Sequence, residues 1–407
     1  MPMNSTKIFL WLFTLLFALL AIPSHFRAYP VILTFLFLFM QKPRHFRWRY
    51  FLWNSLLYTG LVVTLMYSTN FSYGKTFVFE TQVLLVVFPL LFSLLPDDFE
   101  KIMLDKKEHF FLTYIIIVFL YVLSPLTWFF APYHYNWQKM LHHFPGILQS
   151  PDYGLFSIHP IYMAVATGWA FILSLYVQMK TGRKGLRIVL TGINLYFLLV
   201  LFLLAKMGAL LALIIASLLF IYLYKRQIFY RLVPVIILGA GLLFIIPNTQ
   251  KRIKEVLKIE HKEVLKKTST GKHLRIFQTG LKVFKQAPVF GHGLGSHKDR
   301  LMQSYKQENQ TDLLEQKLST HNQYMSFLLI GGVFLLMIYL LMIIISFKTA
   351  WQTKNYLMLM FVVYFSIVML FENYLEREDG VIVFALFFSY FNFLSFVREK
   401  QKQEMND

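Results

Sequence analysis

Residues 187–224 read RIVLTGINLYFLLVLFLLAKMGALLALIIASLLFIYLY, and this stretch decides the class of fold. Its only charged residues are Arg187 at the start and Lys206 near the middle. A transmembrane helix needs about 20 predominantly apolar residues, so this length accommodates two spans. We place the break between them at Ala205-Lys206-Met207-Gly208. Similar apolar runs recur along the whole chain, so the sequence predicts an all-α, polytopic membrane protein.

The composition excludes an ordinary soluble protein, a disordered chain and a disulfide scaffold. Hydrophobic residues make up 57% of the 407 residues and charged residues only 15%, against about 25% charged in an average soluble domain. The chain has no cysteine, which excludes disulfides, thiolate metal ligands and a cysteine nucleophile. The first apolar run ends at Pro23-Ser24-His25 without a small-x-small cleavage site, which favours a first span over a cleaved signal peptide.

The apolar runs predict twelve membrane spans. They lie at residues 8–22, 29–41, 50–68, 77–95, 110–131, 159–179, 187–204, 208–224, 232–247, 322–346, 355–371 and 380–397. These spans divide the chain into a membrane domain of about nine spans (1–247), a large polar loop (248–320), the C-terminal spans (321–397) and a short tail (398–407). The loop is the one sizeable polar element, so we expect the chemistry there or at its border.

The distribution of Lys and Arg predicts the orientation of the chain. With the N-terminus in the cytoplasm, the inner segments hold 20 of the 40 basic residues and the short outer loops hold 5. Basic residues collect on the cytoplasmic side, and short loops set the orientation. The remaining 15 lie in the large loop, whose net charge is +8. We therefore expect both termini in the cytoplasm and the large loop on the outer side.

The large loop predicts two amphipathic helices and a turn. Residues 251–267 are typical of a helix that lies on anionic lipid headgroups. Residues 272–286 predict a helix that ends before Pro288. Its apolar stripe is formed by Leu274, Phe277, Leu281 and Phe284. Residues 291–295 read GHGLG after a helix and a proline instead of a strand, so we expect a turn that shapes the backbone and no dinucleotide site.

The histidines form no metal-binding pattern. His142 and His143 are adjacent, so on a helix they point about 100° apart, and no carboxylate completes them. Packing in a loop or at the membrane interface is the alternative. We predict no metal site and no cofactor.

Three residues on the predicted outer side combine into a possible active site. His321 follows Ser319-Thr320, residue types that favour helix N-caps. The helix dipole disfavours a positive charge there, so the imidazole is expected to be neutral and able to act as a general base. Asn322 beside it is a candidate to orient a substrate hydroxyl. A capping or interface histidine is the alternative.

Arg275 and Lys206 are candidates to hold an anion beside His321. A lysine inside a long apolar run is costly unless it faces water, a partner or a substrate. Phosphate suits both residues, because arginine binds it with two hydrogen bonds and lysine acts as a point charge. The alternative for Lys206 is snorkelling at a helix hairpin. His159, at the outer edge of span six, either faces the same cavity or anchors the span.

The motif order resembles that of the O-antigen ligase and polymerase superfamily. The resemblance rests on Arg275 and the helix after it, the turn from Pro288 through Gly291, Gly293 and Gly295, and the segment Thr320-His321-Asn322-Gln323-Tyr324 followed by Gly331-Gly332. It covers residues 275–332 closely, and the span count and large outer loop extend it over most of the chain.

The resemblance implies a GT-C-type glycosyltransferase of the bacterial inner membrane. Such enzymes transfer a glycan from undecaprenyl diphosphate to an acceptor hydroxyl on the periplasmic face, without a metal or other cofactor. The resemblance implies that His321 is the catalytic base and Arg275 a diphosphate-binding residue. Lys206 stands where many relatives carry Ser-Arg-Gly, so it keeps the charge but loses the guanidinium. Tyr324, Gly291 and Gly293 enter as accessory residues of the motif, with Asn322 and His159.

The sequence leaves the acceptor open. An O-antigen ligase uses a lipid A-core sugar, a polymerase uses another lipid-linked repeat unit, and a third possibility is a Ser or Thr of a protein. A transporter that forms no bond is the alternative from another class. Transporters often contain internal repeats and helices broken near the membrane midplane, and this sequence has no internal repeat. Membrane lipids are expected partners and nucleic acid is not.

Overall fold

The computed structural model describes residues 3–41, 45–133, 159–204, 206–227 and 269–404. Within these ranges the chain forms helices and connecting turns, and no strand. The predicted ninth span at 232–247, the predicted helix at 251–267 and the pair His142-His143 lie outside the described residues.

The helices follow one another with short connections. In chain order they are α1 (Met3–Phe17), α2 (Ala28–Met40), α3 (Trp48–Asn54), α4 (Leu56–Leu65), α5 (Phe71–Thr76), α6 (Leu84–Ser93), α7 (Asp97–Asp105), α8 (Lys107–Tyr133), α9 (Pro160–Lys180), α10 (Lys184–Leu204), α11 (Met207–Tyr224), α12 (Ser269–Gln286), α13 (His297–Gln307), α14 (Thr311–Glu315), α15 (Gln323–Gln352), α16 (Tyr356–Phe371) and α17 (Glu378–Glu404). A π-helical turn at Phe77–Thr81 joins α5 to α6, and a 3-10 turn at Tyr374–Glu376 lies between α16 and α17.

Apolar helices coincide with the predicted spans wherever the chain is described. Seven segments are long and apolar enough to cross a membrane: Phe71–Ser93, Lys107–Ser124, Pro160–Lys180, Lys184–Leu204, Met207–Tyr224, Gln323–Gln352 and Glu378–Gln401. Four shorter apolar helices are Ser5–Phe17, Ser24–Met40, Leu56–Leu65 and Tyr356–Phe371. These eleven segments match eleven of the twelve predicted spans. The count of twelve stays a prediction, because the ninth span lies outside the described residues.

Two helices form the centre of the membrane part. Most of the apolar length of α9 (89%) and α17 (94%) is buried inside the protein, against 33% for α10 and 28% for α11. A helix that is apolar on all sides and buried is a core helix, whereas a helix buried on one side exposes its other side to lipid. At the centre, the fully buried ring of Trp169 packs edge to face against Phe361 and Phe387.

Ion pairs at the two ends of the bundle join segments that the predicted topology places on the same side of the membrane. At the predicted inner end, the buried guanidinium of Arg47 binds Asp97 and Glu100, and Lys400 lies 3.6 Å from both carboxylates. At the predicted outer end, Arg27 lies 2.8 Å from Asp379. Segments predicted on the same side thus contact one another. Which end faces the cytoplasm stays a prediction.

The described part of the large loop packs on the N-terminal half of α15. Its small core joins α12, α13, α14 and α15 through Ile276, Val283, Leu301, Tyr305, Leu313, Met325 and Leu329. The stripe that the sequence predicted for α12 is only partly covered: Phe284 packs against this core, whereas Phe277 and Leu281 are 47% and 37% exposed. Next to the core, Gly280 lets α12 approach Met325 closely.

The GHGLG turn is built into a break in α15. Gly331 and Gly332 leave the helical conformation, and Gly332 has a φ of 62°. The backbone N–H groups of His292 and Gly293 donate to the carbonyl oxygens of Leu329 and Ile330, both at 2.8 Å. The turn therefore supplies hydrogen-bond donors to carbonyl oxygens that have no partner within the broken helix. It shapes the backbone as predicted.

The same turn explains why glycine occupies its special positions. Gly291 and Gly293 have φ values of 65° and 85°, which side-chain-bearing residues rarely adopt. A Cβ on Gly332 would lie 2.3 Å from the carbonyl oxygen of Val289, where there is no room for it. The turn and the two residues before Phe290 form hydrogen bonds with α15 eight to thirteen residues after His321, so they help to set the position of the helix start that follows this histidine.

Candidate active site

The loop at residues 372–377, called the α16–α17 loop below, holds the start of α15. The side-chain oxygen of Asn373 accepts hydrogen bonds from the backbone N–H of Asn322 at 2.7 Å and from the hydroxyl of Thr320 at 2.9 Å. The side-chain amide of Asn322 donates to the carbonyl oxygen of Leu370 at 3.0 Å. These bonds fix the segment around His321 against the end of α16.

His321 faces a carboxylate that the sequence analysis did not identify. Its Nδ1 lies 3.5 Å from Oε1 of Glu372, the first residue of the α16–α17 loop. The backbone of His321 has a φ of 46°, in the left-handed region that histidine tolerates better than most residues. The ring of His273 from α12 lies 5.5 Å from the His321 ring, nearly at a right angle. The imidazole is partly exposed, so a substrate can approach it.

Two carboxylates raise the pKa of His321. The side chain of Glu372 is the main cause, and the charge of Glu376 adds to this effect. These carboxylates act in the direction opposite to the helix dipole, which the sequence analysis expected to favour the neutral imidazole. Burial raises the pKa of Glu372, but its contact with His321 outweighs burial, so the net shift of the Glu372 pKa is downward. Each residue thus favours the charged form of the other.

Lys206 lies at the start of α11, near His321 and His159. It is the N-cap residue of this helix, and its backbone is extended. A Cβ on Gly208 would lie 2.6 Å from Cβ of Phe371, so the start of α11 packs directly against the end of α16. The charge of Lys206 lowers the pKa of both His321 and His159. Within the described ranges, its ammonium has no carboxylate within 4 Å.

His159 and Arg377 complete the group. His159 is the N-cap residue of α9, and its Nδ1 accepts from the backbone N–H of Ile161 at 3.5 Å. Tyr162, one turn further, donates its hydroxyl to the carbonyl oxygen of Asn373 at 3.2 Å. The guanidinium of Arg377 lies 6.0 Å from the centre of the Tyr162 ring. Burial, and next the charge of Arg377, lower the pKa of His159 to about 4, so this imidazole is neutral near pH 7.

Arg275 lies on the opposite face of α12 from this group. It binds both oxygens of Asp312 in α14, at 2.9 and 2.7 Å. His273, two residues earlier, contacts His321, and two residues on a helix are about 200° apart. The hydrogen bonds that Arg275 donates to Asp312 raise the pKa of the guanidinium above its usual value. The structure therefore brings Lys206 and His159 to His321 and does not bring Arg275 there. The predicted role of Arg275 stays a prediction.

The remaining predicted accessory residues have contacts within the protein. Asn322 caps α15, since its side-chain oxygen accepts from the backbone N–H of Met325 at 2.9 Å. Tyr324 donates its hydroxyl to the carbonyl oxygen of Ser366 at 2.9 Å. Gly291 and Gly293 form the turn that grips α15. In the ranges that the structure describes, no three His, Asp or Glu side chains lie close enough together to hold a metal ion.

Sequence reasoning missed Glu372 and Glu376 as members of the group, and it counted Arg377 only as an outer-loop charge. A signal was present: residues 371–379 read FENYLERED, a dense run of charges in a short connection between two apolar spans. Charges so close to a membrane span are costly unless they are paired or functional.

Comparison with known protein families gives a match to part of the chain. A family model described as O-Antigen ligase matches residues 192–340, somewhat more than a third of the chain. The matched segment contains Lys206, Arg275, the GHGLG turn and His321. No curated protein sequence matches the chain. The match confirms the resemblance found in the sequence: residues 192–340 are similar to the O-antigen ligase family.

Proposed function

We propose that this protein transfers a glycan from undecaprenyl diphosphate to an acceptor hydroxyl on the periplasmic face of the bacterial inner membrane. The observation that carries the proposal is the pairing of His321, which lies within the segment matched by the O-antigen ligase family model, with Glu372 from beyond that segment. Two cations, Lys206 and Arg377, lie beside this pair. This arrangement combines a base for the acceptor with positive charge for the leaving group.

The donor explains why so few groups suffice. A polyprenyl diphosphate is an activated leaving group, so neither a nucleotide sugar nor a metal is needed to activate it. The protein has to hold the diphosphate, position the acceptor and remove one proton as the hydroxyl attacks the anomeric carbon. A single direct displacement of this kind inverts the configuration at that carbon.

His321 is the proposed base. With Nδ1 directed at Glu372, the other ring nitrogen, Nε2, is left to accept the proton of the acceptor hydroxyl. Glu372 then stabilises the imidazolium that forms, as a carboxylate does in other histidine-based sites. Because Glu372 raises the pKa of His321, it makes the neutral imidazole a stronger base.

Lys206 and Arg377 are the proposed diphosphate ligands in the described arrangement. Neither side chain has a carboxylate within 4 Å among the described residues, and both charges act on His159. Helices α9, α11 and α15 all begin next to the α16–α17 loop, so three positive helix ends add to the field that attracts an anion. The family resemblance implies that Arg275 also binds the diphosphate. To do so, Arg275 would have to break its hydrogen bonds with Asp312.

The acceptor of the proposed reaction is a lipid A-core sugar, as in an O-antigen ligase, and a second lipid-linked repeat unit is the alternative. The break in α15 is a feature that transporters share, since broken helices are common in them. However, backbone N–H groups of the GHGLG turn form hydrogen bonds with the carbonyl oxygens that this break leaves without a partner in the helix. The proposed group of charges also lies at helix ends and not midway along helices.

The test uses the full chain in a reconstituted membrane with an undecaprenyl diphosphate-linked, labelled glycan. Lipid A-core and a second lipid-linked repeat are offered as acceptors, and gel mobility of the products is compared for the wild type, His321→Ala and His25→Ala. His25 is an exposed histidine of another predicted outer loop, so it is the matched control.

We expect intact chains on lipid A-core with the wild type and His25→Ala, and none with His321→Ala. A ladder of growing lipid-linked chains would instead establish the polymerase. No product on either acceptor, or full activity of His321→Ala, would contradict the proposed function.

A further inference from the structure

A cavity of about 350 Å³ lies far from the proposed active site, at the predicted inner end of the bundle. It opens between α1 and the junction of α7 with α8. Its walls are formed by Lys7, Leu10, Trp11, Thr14, Lys106 and His109. Nothing in the proposed transfer reaction uses these residues.

Three of the six lining residues are basic, and the surface of the cavity is almost wholly apolar. The basic residues are Lys7, Lys106 and His109, and no acidic side chain is among the lining residues in the described part of the chain. Leu10 and Trp11 are among the apolar lining residues, and Trp11 is 71% exposed. A ligand that fits both features carries a negative charge and an apolar chain.

A hydrogen bond orients the histidine. The hydroxyl of Thr14 donates its one hydrogen to the carbonyl oxygen of Leu10 at 2.6 Å. The 2.9 Å contact between Thr14 Oγ1 and His109 Nε2 is therefore a hydrogen bond in which the histidine donates. The ring is thus held at the edge of the cavity.

The cavity is continuous with a surface that faces lipid. Ile8 and Leu15 on α1, and Ile116 and Leu120 on α8, are exposed apolar residues of two membrane-spanning helices. Tryptophan and lysine at the end of a span are typical of the membrane–water interface. An occupant whose acyl chains run along this surface reaches the cavity with its headgroup.

We propose that this cavity binds the phosphodiester headgroup of an acidic phospholipid, such as phosphatidylglycerol, with its acyl chains along α1 and α8. Basic pockets between membrane helices bind such headgroups. A zwitterionic phospholipid also has a phosphate, but its ammonium finds no carboxylate among the lining residues and meets Lys7 and Lys106 instead. The proposed site therefore selects for net negative charge, whichever side of the membrane it faces.

The test measures quenching of Trp11 by lipids brominated on their acyl chains, with the purified full chain in phosphatidylcholine nanodiscs. Brominated phosphatidylglycerol or brominated phosphatidylethanolamine is added at the same mole fraction. The chain has seven tryptophans, so the signal of Trp11 is obtained as the difference between each protein and its Trp11→Phe version.

We expect the glycerol lipid to quench Trp11 at several-fold lower mole fraction than the ethanolamine lipid. The variant Lys7→Gln/Lys106→Gln should lose this preference, since each lysine near an acidic lipid is worth about fivefold in affinity. The matched control Lys348→Gln/Lys354→Gln removes two charges from another predicted inner loop and should keep the preference.

Equal quenching by both lipids would overturn the proposal, because it would indicate an unselective lipid annulus. Loss of the preference in the control variant as well would also overturn it, because bulk charge would then explain the effect. Native mass spectra of the folded Lys7→Gln/Lys106→Gln variant give an independent readout, in which retained phosphatidylglycerol would contradict the proposed site. None of these measurements depends on glycan transfer.

Discussion

Nδ1 of His321 lies 3.5 Å from Oε1 of Glu372, and the two residues come from the ends of different helices. His321 precedes α15 and Glu372 follows α16, so the pair joins two helix ends at one point. Because the pKa of His321 is raised and that of Glu372 lowered, the charged pair is complete between the two folded-state values. Its contribution to stability is lost as pH rises through the pKa of His321 and as pH falls through that of Glu372.

The pair predicts a pH dependence for transfer. A general base has to be neutral before it accepts a proton, so activity should rise as pH increases through the raised pKa of His321. Glu372→Gln removes the main cause of the raised pKa, so the acid limb of the profile should move to lower pH. At the plateau, the weaker base should reduce kcat by about 10²-fold or more.

The measurement is a pH–rate profile of glycan transfer for the wild type and Glu372→Gln. Glu315→Gln, at an exposed carboxylate on the outer loop, is the control and should keep the wild-type profile. An acid limb that does not move in Glu372→Gln would show that Glu372 does not act through His321.

The two cations predict an effect on donor binding. Arg377→Gln and Lys206→Met should each raise the KM for the lipid-linked donor by about tenfold, because a hydrogen bond to a charged group contributes about 1.5–3 kcal/mol. Lys206→Arg should be tolerated, since it keeps the charge. Steady-state kinetics with varied donor and saturating acceptor give the KM. Complete loss of activity in Lys206→Arg, or an unchanged KM in Arg377→Gln, would count against the shared role.

The ion pair between Arg275 and Asp312 predicts that removing either charge has the same effect on stability and on donor binding. If Arg275 acts through its ion pair, Arg275→Gln and Asp312→Asn should lower the free energy of unfolding by similar amounts, about 0.5–1 kcal/mol for a partly exposed pair. The KM for the donor should then be similar in both. Thermal unfolding and donor kinetics check this. A raised donor KM in Arg275→Gln alone would assign the diphosphate to Arg275.

The break in α15 predicts a strong effect on folding. Gly332→Ala places a Cβ 2.3 Å from the carbonyl oxygen of Val289 at a φ of 62°, so we expect a loss of about 2 kcal/mol or more. Gly192→Ala in α10 is the matched control, because its Cβ would have no atom within 4 Å. An alanine in that helix should be neutral or stabilising. Equal melting temperatures for the two variants would contradict the role of Gly332.

The places where sequence reasoning succeeded and failed have a common cause. Apolar runs predicted the helices well, since a span depends mainly on the summed hydropathy of about 20 neighbouring residues. The exposure of Phe277 and Leu281 on α12 could not be read from the sequence, because it depends on which part of the helix packs against α13, α14 and α15. The effect of Glu372 on the pKa of His321 could not be read from it either, as Glu372 is distant in sequence.

The sequence by itself determined the all-helical membrane class, the family motifs and His321 as the candidate base, because these depend on local composition and on residue order. Only the tertiary structure decided which charges surround that histidine. It joined Glu372 to His321, brought Lys206 and His159 to the same loop, and left Arg275 with Asp312. The physical reason is that an ion pair is chosen by the distance between side chains in space, and that distance is set by which helix ends the packing brings together.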